Sequence, residues 1–306
     1  MEHPGAVLGT AINKYIYTVA LPMVGFAETR YRITYRVVEA VDRVEDIRHN
    51  VIREYLRLTE FNLPLNIAII SDIPGNTGLG SSSSFTVGFV RLIEHLRGRT
   101  VTKFDLLKTA IHVERDLLKE NVGIQDQTHA AFGGLNYYKF YRSDFTMQPV
   151  RMTTVCREAL DRCLCLIFTG VQRSATEILV EQINNTKKKK LNRDLEHLVA
   201  LCRQGLTVLE GQDPDSMLRD FGRLLREGWE TKRALSATIS TPLIDEIYNA
   251  GMRIGAYGGK LCGAGGGGFF LFVAPESVQE ELKRTFKSPN FVKINMEDDG
   301  AHIIMR

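Results

Sequence analysis

Several classes of protein are excluded by what this 306-residue chain lacks. It has only five cysteines (Cys156, Cys163, Cys165, Cys202 and Cys262), an odd number without metal-ligand spacing, which speaks against a disulfide framework or a zinc motif. Buried, reduced thiols and a cytoplasmic location are the expectation, and Cys163 and Cys165 are expected on one side of a single strand. No apolar run approaches the roughly 18 residues of a membrane span; Phe269 to Ala274 has the length of a buried strand. The N-terminus has no basic start followed by an apolar core, so a secretory signal is not expected. Charge of one sign is not in large excess, since 39 Lys and Arg against 36 Asp and Glu leave +3. That balance is too small to make nucleic acid the main partner. No repeat of 20–50 residues and no long low-complexity tract is visible.

What is present is an ordinary globular composition, 44% hydrophobic and 25% charged, which excludes disorder and collagen-like chains. The length suits two domains or one large one. β-Formers mark strands over Ala11–Ala20 and Tyr31–Val38, a helix is expected over Val44–Thr59, and Leu65–Ser71 reads as a strand. An amphipathic helix follows the serine run, with Phe85, Phe89, Leu92, Ile93 and Leu96 on one face. A helix over Phe104–Lys119 should bury Leu107, Ala110, Ile111, Leu117 and Leu118. Leu135–Phe140 returns as strand, and the pattern loosens over Met147–Thr154, which suggests domains at 1–150 and 151–306. Beyond it come a strand at Cys163–Phe168, helices near 174–189, 191–210 and 215–233, and a helix at Pro242–Arg253. A strand at Phe269–Val273, a helix near 276–286 and two short strands complete the chain. The run Lys187–Lys190 reads as a solvated helix face or loop, with anion binding as the alternative. Strands and helices without regular alternation argue for an α+β fold.

Two glycine loops stand out. The first, Pro74-Gly75-Asn76-Thr77-Gly78-Leu79-Gly80 and the serines Ser81 to Ser84, follows a strand and opens a helix. Amides at a helix N-terminus bind anions, and glycines admit close backbone approach. Serine hydroxyls can cap the helix, donate to phosphate or coordinate a hard cation. No Lys-Ser or Lys-Thr follows, so this is not a Walker loop. The second loop, Gly263-Ala264-Gly265-Gly266-Gly267-Gly268, matches G-x-G-x-x-G literally, but a strand follows where a dinucleotide fold needs a helix. It is a false positive for that fold, and a tightly packed turn remains an alternative. Between the loops lie Glu114 and Asp126. One carboxylate on Mg²⁺ and one near the attacking hydroxyl is what phosphoryl transfer requires; from spacing alone, plain solvated charges stay equally open.

Together these motifs resemble the GHMP kinases, the superfamily of galactokinase and of homoserine, mevalonate and phosphomevalonate kinases. Pro74–Ser84 looks like the family's phosphate loop, Gly123-Ile124-Gln125-Asp126-Gln127 like its G-x-x-D-Q segment, and Lys260–Gly268 like its C-terminal glycine motif. The phrases Ala11–Tyr17, Thr77–Val87, Asn121–Gln127 with Ala130–Gly134, and Gly258–Leu261 are similar to the subgroup of D-glycero-D-manno-heptose 7-phosphate kinases. The resemblance implies an N-terminal domain like ribosomal protein S5 domain 2 and a ferredoxin-like C-terminal domain. It further implies ATP contacts at Gly78, Gly80, Ser81 and Ser83, Mg²⁺ on Ser82 and Glu114, and Asp126 as catalytic base. Gly263, Gly265 and Gly266 would support the nucleotide site. Family members usually begin with a strand and a segment ending in Gly-Thr-Asp; the start here, Met1-Glu2-His3-Pro4-Gly5, looks like a point beyond it, so that first strand and one sugar-binding carboxylate are expected to be missing.

The activity implied is transfer of the γ-phosphoryl group of ATP to the anomeric hydroxyl of a heptose 7-phosphate or similar sugar. Alternatives are another GHMP sugar-1-kinase acting on a fucose-like substrate, or a non-catalytic nucleotide-binding homologue. The partner expected is a sugar or sugar phosphate, with neither nucleic acid nor membrane, and a homodimer is compatible with the pattern. Arg173 reads as a structural ion pair, with a sugar phosphate as the alternative partner.

Overall fold

The computed structural model describes residues 4–23, 25, 28–142, 144–172 and 192–304. Arg173, the run Lys187–Lys190 and the helix expected near 174–189 lie outside the described residues. The chain forms two compact units whose segments alternate along the sequence.

One unit comprises Lys14–Gly75, Gly80–Gly133 and Asp299–Arg306. Its sheet has the order β2-β5-β3-β4, built from β2 (Ile16–Pro22), β3 (Tyr31–Thr34), β4 (Val38–Val41) and β5 (Leu65–Ser71). β3 runs parallel to β5, and the other pairings are antiparallel. Helices α1 (Asn50–Thr59), α2 (Ser81–Leu96), α3 (Lys103–Ile111) and α4 (Gln125–Phe132) belong to the same unit. Tyr31, Ile33, Leu65 and Ile67 from the sheet and Ile52, Phe89 and Ile93 from the helices are almost wholly buried. α1 and α2 lie with their N-terminal ends together: His49 meets Phe85, and the Tyr55 hydroxyl reaches Glu94 at 2.8 Å.

The other unit takes the chain through Asn13, then Asn76–Leu79 and Gly134–Asp298. One antiparallel sheet has the order β12-β1-β6-β7, from β1 (Gly5–Ile12), β6 (Leu135–Phe140), β7 (Phe145–Pro149) and β12 (Met296–Glu297). A second has the order β11-β8-β10-β9, from β8 (Leu164–Phe168), β9 (Gly258–Leu261), β10 (Phe269–Val273) and β11 (Phe291–Lys293). Helices α5 (Thr154–Cys163), α6 (Asn192–Leu209), α7 (Pro214–Ala234), α8 (Pro242–Ile254) and α9 (Glu276–Thr285) complete it. Trp229, Ile239, Ile244, Leu261, Phe270 and Phe272 form its core.

Several expected elements are redrawn. Ala11–Ala20 is two strands, because β1 is held between β6 and β12 whereas β2 pairs, among the described residues, with β5 alone. The break is tied down on each side: Asn295 N–H donates to Asn13 Oδ1 at 2.9 Å, and Tyr15 N–H to Asp72 Oδ2 at 2.9 Å. Tyr31–Val38 is likewise a hairpin, turned at Tyr35 and fastened by the Tyr35 hydroxyl on buried Glu39. Val44–Thr59 is a short 3-10 turn followed by α1. Cys163 closes α5 while Cys165 lies in β8, so the two do not share a strand; among the described residues no cysteine is in a disulfide. α5, which was not expected, buries Cys156, Ala159, Leu160 and Cys163 at helical spacing, and the Thr153 hydroxyl caps it by accepting from Cys156 N–H.

Candidate active site

β5 ends at Ser71, and the chain passes through the first glycine loop into α2. Gly80 is the N-cap of α2 with φ +69°, a left-handed conformation that only glycine adopts without strain. Helices α3, α5, α7 and α8 carry Thr102, Thr153, Asp213 and Thr241 as side-chain caps. At α2 four consecutive serines stand ready, yet no side chain caps the helix. Its first turn contains no acidic residue either. The amides and the positive end of a 16-residue helix are thereby left for an anion.

Asp126 is brought to this helix end. It occupies the first turn of α4, is exposed, and packs so closely that a Cβ on Gly80 would lie 3.2 Å from its Cβ and Cγ. Glu114 sits in a π-helical turn, His112–Leu117, that continues α3. Its side chain is fully buried. Ser83 Oγ donates to Glu114 Oε2 at 3.1 Å, and Gln127 Nε2 donates to the same oxygen. Glu114 Oε1 and Gln127 Oε1 are buried with no hydrogen-bond partner among the described residues. Of the serines, Ser81 is half-buried and Ser82 is exposed on the first turn; Ser83, expected on phosphate, is buried with its hydroxyl on Glu114. Expected residues Gly80, Ser81, Ser82, Ser83, Glu114 and Asp126 therefore all belong to one unit.

The remaining expected residues belong to the other unit, where the second glycine loop packs on Thr77 and Gly78. Phe269 N–H donates to the Thr77 carbonyl at 3.1 Å, and a Cβ on Gly263 would come within 2.6 Å of Gly78 Cα. Gly265 and Gly266 instead face Ile239, whose carbonyl accepts from Gly266 N–H at 2.9 Å. Lys232 donates to the Gly263 carbonyl. Close backbone packing accounts for this run of glycines.

Two other ionisable groups of this unit are shifted. Glu120 is half-buried; burial first, and the Glu114 carboxylate second, hold its carboxyl above the usual range. His129 on α4 is pushed down to about 4 by burial and adds no positive charge at neutral pH. Among the described residues no group of three or more His, Cys, Asp or Glu gathers. Mg²⁺ typically takes one or two carboxylates and completes its shell with water and substrate phosphate, so a lone buried carboxylate with one bare oxygen fits it. Sequence reasoning did not foresee the Ser83 and Gln127 contacts. Their signals were a serine one turn into a helix and a glutamine directly after the candidate base.

Residues 37–134 match the family model for the GHMP kinases N terminal domain, and residues 215–289 that for the GHMP kinases C terminal region. The chain is 30% identical over 261 residues to a D-glycero-alpha-D-manno-heptose 7-phosphate kinase of Campylobacter jejuni subsp. jejuni serotype O:2, covering 83% of this chain and 73% of that one. It belongs to the GHMP kinases and is a phosphotransferase with an alcohol group as acceptor; ATP is the phosphate donor in this family. An L-fucokinase/L-fucose-1-P guanylyltransferase of Bacteroides fragilis is 26% identical over 297 residues, 93% of this chain but 29% of that longer protein. The crystal structure of a D-glycero-D-manno-heptose 1-phosphate kinase from Bacteroides thetaiotaomicron superposes with a TM-score of 0.76 at 22% identity, covering 99% of this chain and 92% of the other. That likeness confirms the two-domain GHMP kinase fold. No described helix is long and apolar enough to cross a membrane.

Proposed function

We propose that this chain transfers the γ-phosphoryl group of ATP to the anomeric hydroxyl of a heptose 7-phosphate or a similar sugar. The observation that carries the chemistry is Asp126 packed against Gly80 at the uncapped N-terminus of α2. A phosphate bound by the α2 amides would lie beside a carboxylate able to accept the hydroxyl proton. Gly78, Gly80, Ser81 and Ser83 would contact the phosphates, Ser83 through its N–H because its hydroxyl is engaged. Ser82 and Glu114 would hold Mg²⁺, which neutralises phosphate charge during transfer. Gly263, Gly265 and Gly266 would support the nucleotide through the packing of their loop. Residues 1–150 and 151–306 would be the N- and C-terminal GHMP kinase domains.

The choice of a heptose phosphate is supported by the 30% identical relative named for that substrate. A fucose-like sugar is the second reading, because the fucokinase relative aligns with 93% of this chain. An anomeric hydroxyl is more acidic than an ordinary alcohol, so a carboxylate of ordinary basicity suffices as acceptor. Steady-state kinetics on a panel of sugars and their terminal phosphates tests the proposal. The highest kcat/KM is expected for heptose 7-phosphate; a preference for unphosphorylated deoxy-sugars favours the second reading.

A further inference from the structure

We infer that Ser83 and Gln127 form a clamp that selects which oxygen of Glu114 meets the cation. The inference rests on the reading of Glu114 as a Mg²⁺ ligand and adds two residues that act through it. Both donors converge on Oε2, and neither reaches Oε1. A carboxylate attached through a flexible stem could turn either oxygen outward or present both. With Oε2 saturated by a hydroxyl and an amide, the carboxylate is pinned and Oε1 alone carries lone pairs free for a metal. The three side chains come from α2, the π-helical turn and α4, so their meeting is a property of the tertiary fold.

Two acceptors of this cluster are left over once these bonds are made. Buried polar atoms are nearly always hydrogen-bonded, and an exception points to strain, a catalytic role, or a water or ion at the site. Here two acceptors on touching side chains, Glu114 Oε1 and Gln127 Oε1, are both buried and bare. Ser83, Glu114 and Gln127 are each at most 5% exposed. A hydrated Mg²⁺ supplies what both oxygens lack: positive charge for the carboxylate and water O–H donors for the amide carbonyl. Gln127 would thus orient the ligand with its Nε2 and accept from a metal-bound water with its Oε1. Such supporting hydrogen bonds orient ligands in metal sites, and removing one costs about 10–100-fold in metal affinity.

The test uses the full chain, with Mn²⁺ as the probe and a non-hydrolysable ATP analogue present, and reads metal affinity by electron paramagnetic resonance. Ser83→Ala and Gln127→Met should each weaken Mn²⁺ by about 10–100-fold. Ser83→Thr, which keeps the hydroxyl, should restore affinity to within about twofold of the parent. Circular dichroism melts should show each variant folded with a parent-like transition, which separates positioning from loss of fold. If Glu114→Gln loses Mn²⁺ while Ser83→Ala and Gln127→Met keep it, the clamp is wrong and the metal reading stands. If Glu114→Gln keeps Mn²⁺, both fall. Equal losses in Ser83→Ala and Ser83→Thr also overturn the clamp, because the hydroxyl would then not be what matters. Should Gln127→Met fail to fold, the Ser83 pair decides alone.

Discussion

Asp126 lies in the first turn of α4 with its side chain against Gly80, and it is the proposed proton acceptor. Asp126→Asn keeps the shape and removes the basicity. Its kcat should fall by about 10²–10⁴ with nucleotide affinity nearly intact, as single-turnover kinetics beside analogue titration would reveal. Near-parental turnover would remove Asp126 from the mechanism. Gly80 is coupled to it: a side chain there meets Asp126 before it meets anything else. Gly80→Ala should cost about 1–2 kcal/mol through its left-handed backbone. It should also lower kcat by roughly tenfold or more by displacing the carboxylate, and reduce kcat more than nucleotide affinity. His129, three residues on, gives a pH prediction. Burial lowers its folded pKa to about 4, below the unfolded value of about 6.5, so the unfolded state binds more protons between those values. Stability should therefore fall as pH drops from about 6.5 towards 4, by on the order of 3 kcal/mol from this group. Urea midpoints of the parent and His129→Gln across that range would check it; parallel curves would show that His129 contributes nothing.

At the level of elements, the π-helical turn at His112–Leu117 changes what the sequence pattern can tell. Glu114 stands seven residues after Leu107 and four before Leu118, so ordinary helical spacing already sets it on the apolar stripe. That phase was a legible sign of a buried acid, although its neighbours Arg115 and Asp116 suggested a solvated face. The turn then shifts the register, leaving Leu117 and Leu118 only partly buried while Val113 and Glu114 are enclosed. Extra-wide turns of this kind recur at functional sites. Strand breaks at Asn13–Tyr15 and at Tyr35 were illegible for another reason: β-propensity reports a pleated, half-buried surface and not which partner the surface finds. Close approach of α7 to β9 provides a stability prediction. A Cβ on Gly258 would lie 1.8 Å from the Gly222 carbonyl oxygen, a backbone atom that cannot swing aside. Gly258→Ala should destabilise by about 3 kcal/mol or more through overpacking. Gly228→Ala, on the same helix with only Leu201 Cδ1 at 3.8 Å, should instead stabilise by about 0.5–1 kcal/mol. Thermal melts of the two variants should move in opposite directions; a shared direction would contradict this reading of the packing.

Across the whole molecule, chain order and compactness part company: Asn76–Leu79 is packed with one unit while the residues on either side belong to the other. The two glycine loops and their order were legible because glycine runs report a backbone requirement directly. Which loop packs on which segment was not, since Thr77 meets Gly268 and Phe269 only through tertiary folding. Gly78 makes that packing testable through ligand linkage. A ligand that binds only the folded protein stabilises it by about 2.7 kcal/mol at a hundred times its Kd. The non-hydrolysable ATP analogue at that concentration should therefore raise the unfolding midpoint of the parent. Asp126→Asn should keep the full shift, because its carboxylate is assigned to the acceptor hydroxyl and not to the nucleotide. Gly78→Val should start from a lower midpoint, since its φ is +80° and its Cβ would lie 2.8 Å from the Cys262 carbonyl oxygen. It should also gain less from the same analogue, because the loop proposed to carry the phosphate contacts is displaced at its base. Differential scanning calorimetry of the three proteins with and without analogue separates the two roles. If Asp126→Asn loses the shift while Gly78→Val keeps it, the nucleotide is held by the acid and not by the loop, and the assignments of base and phosphate site must be exchanged.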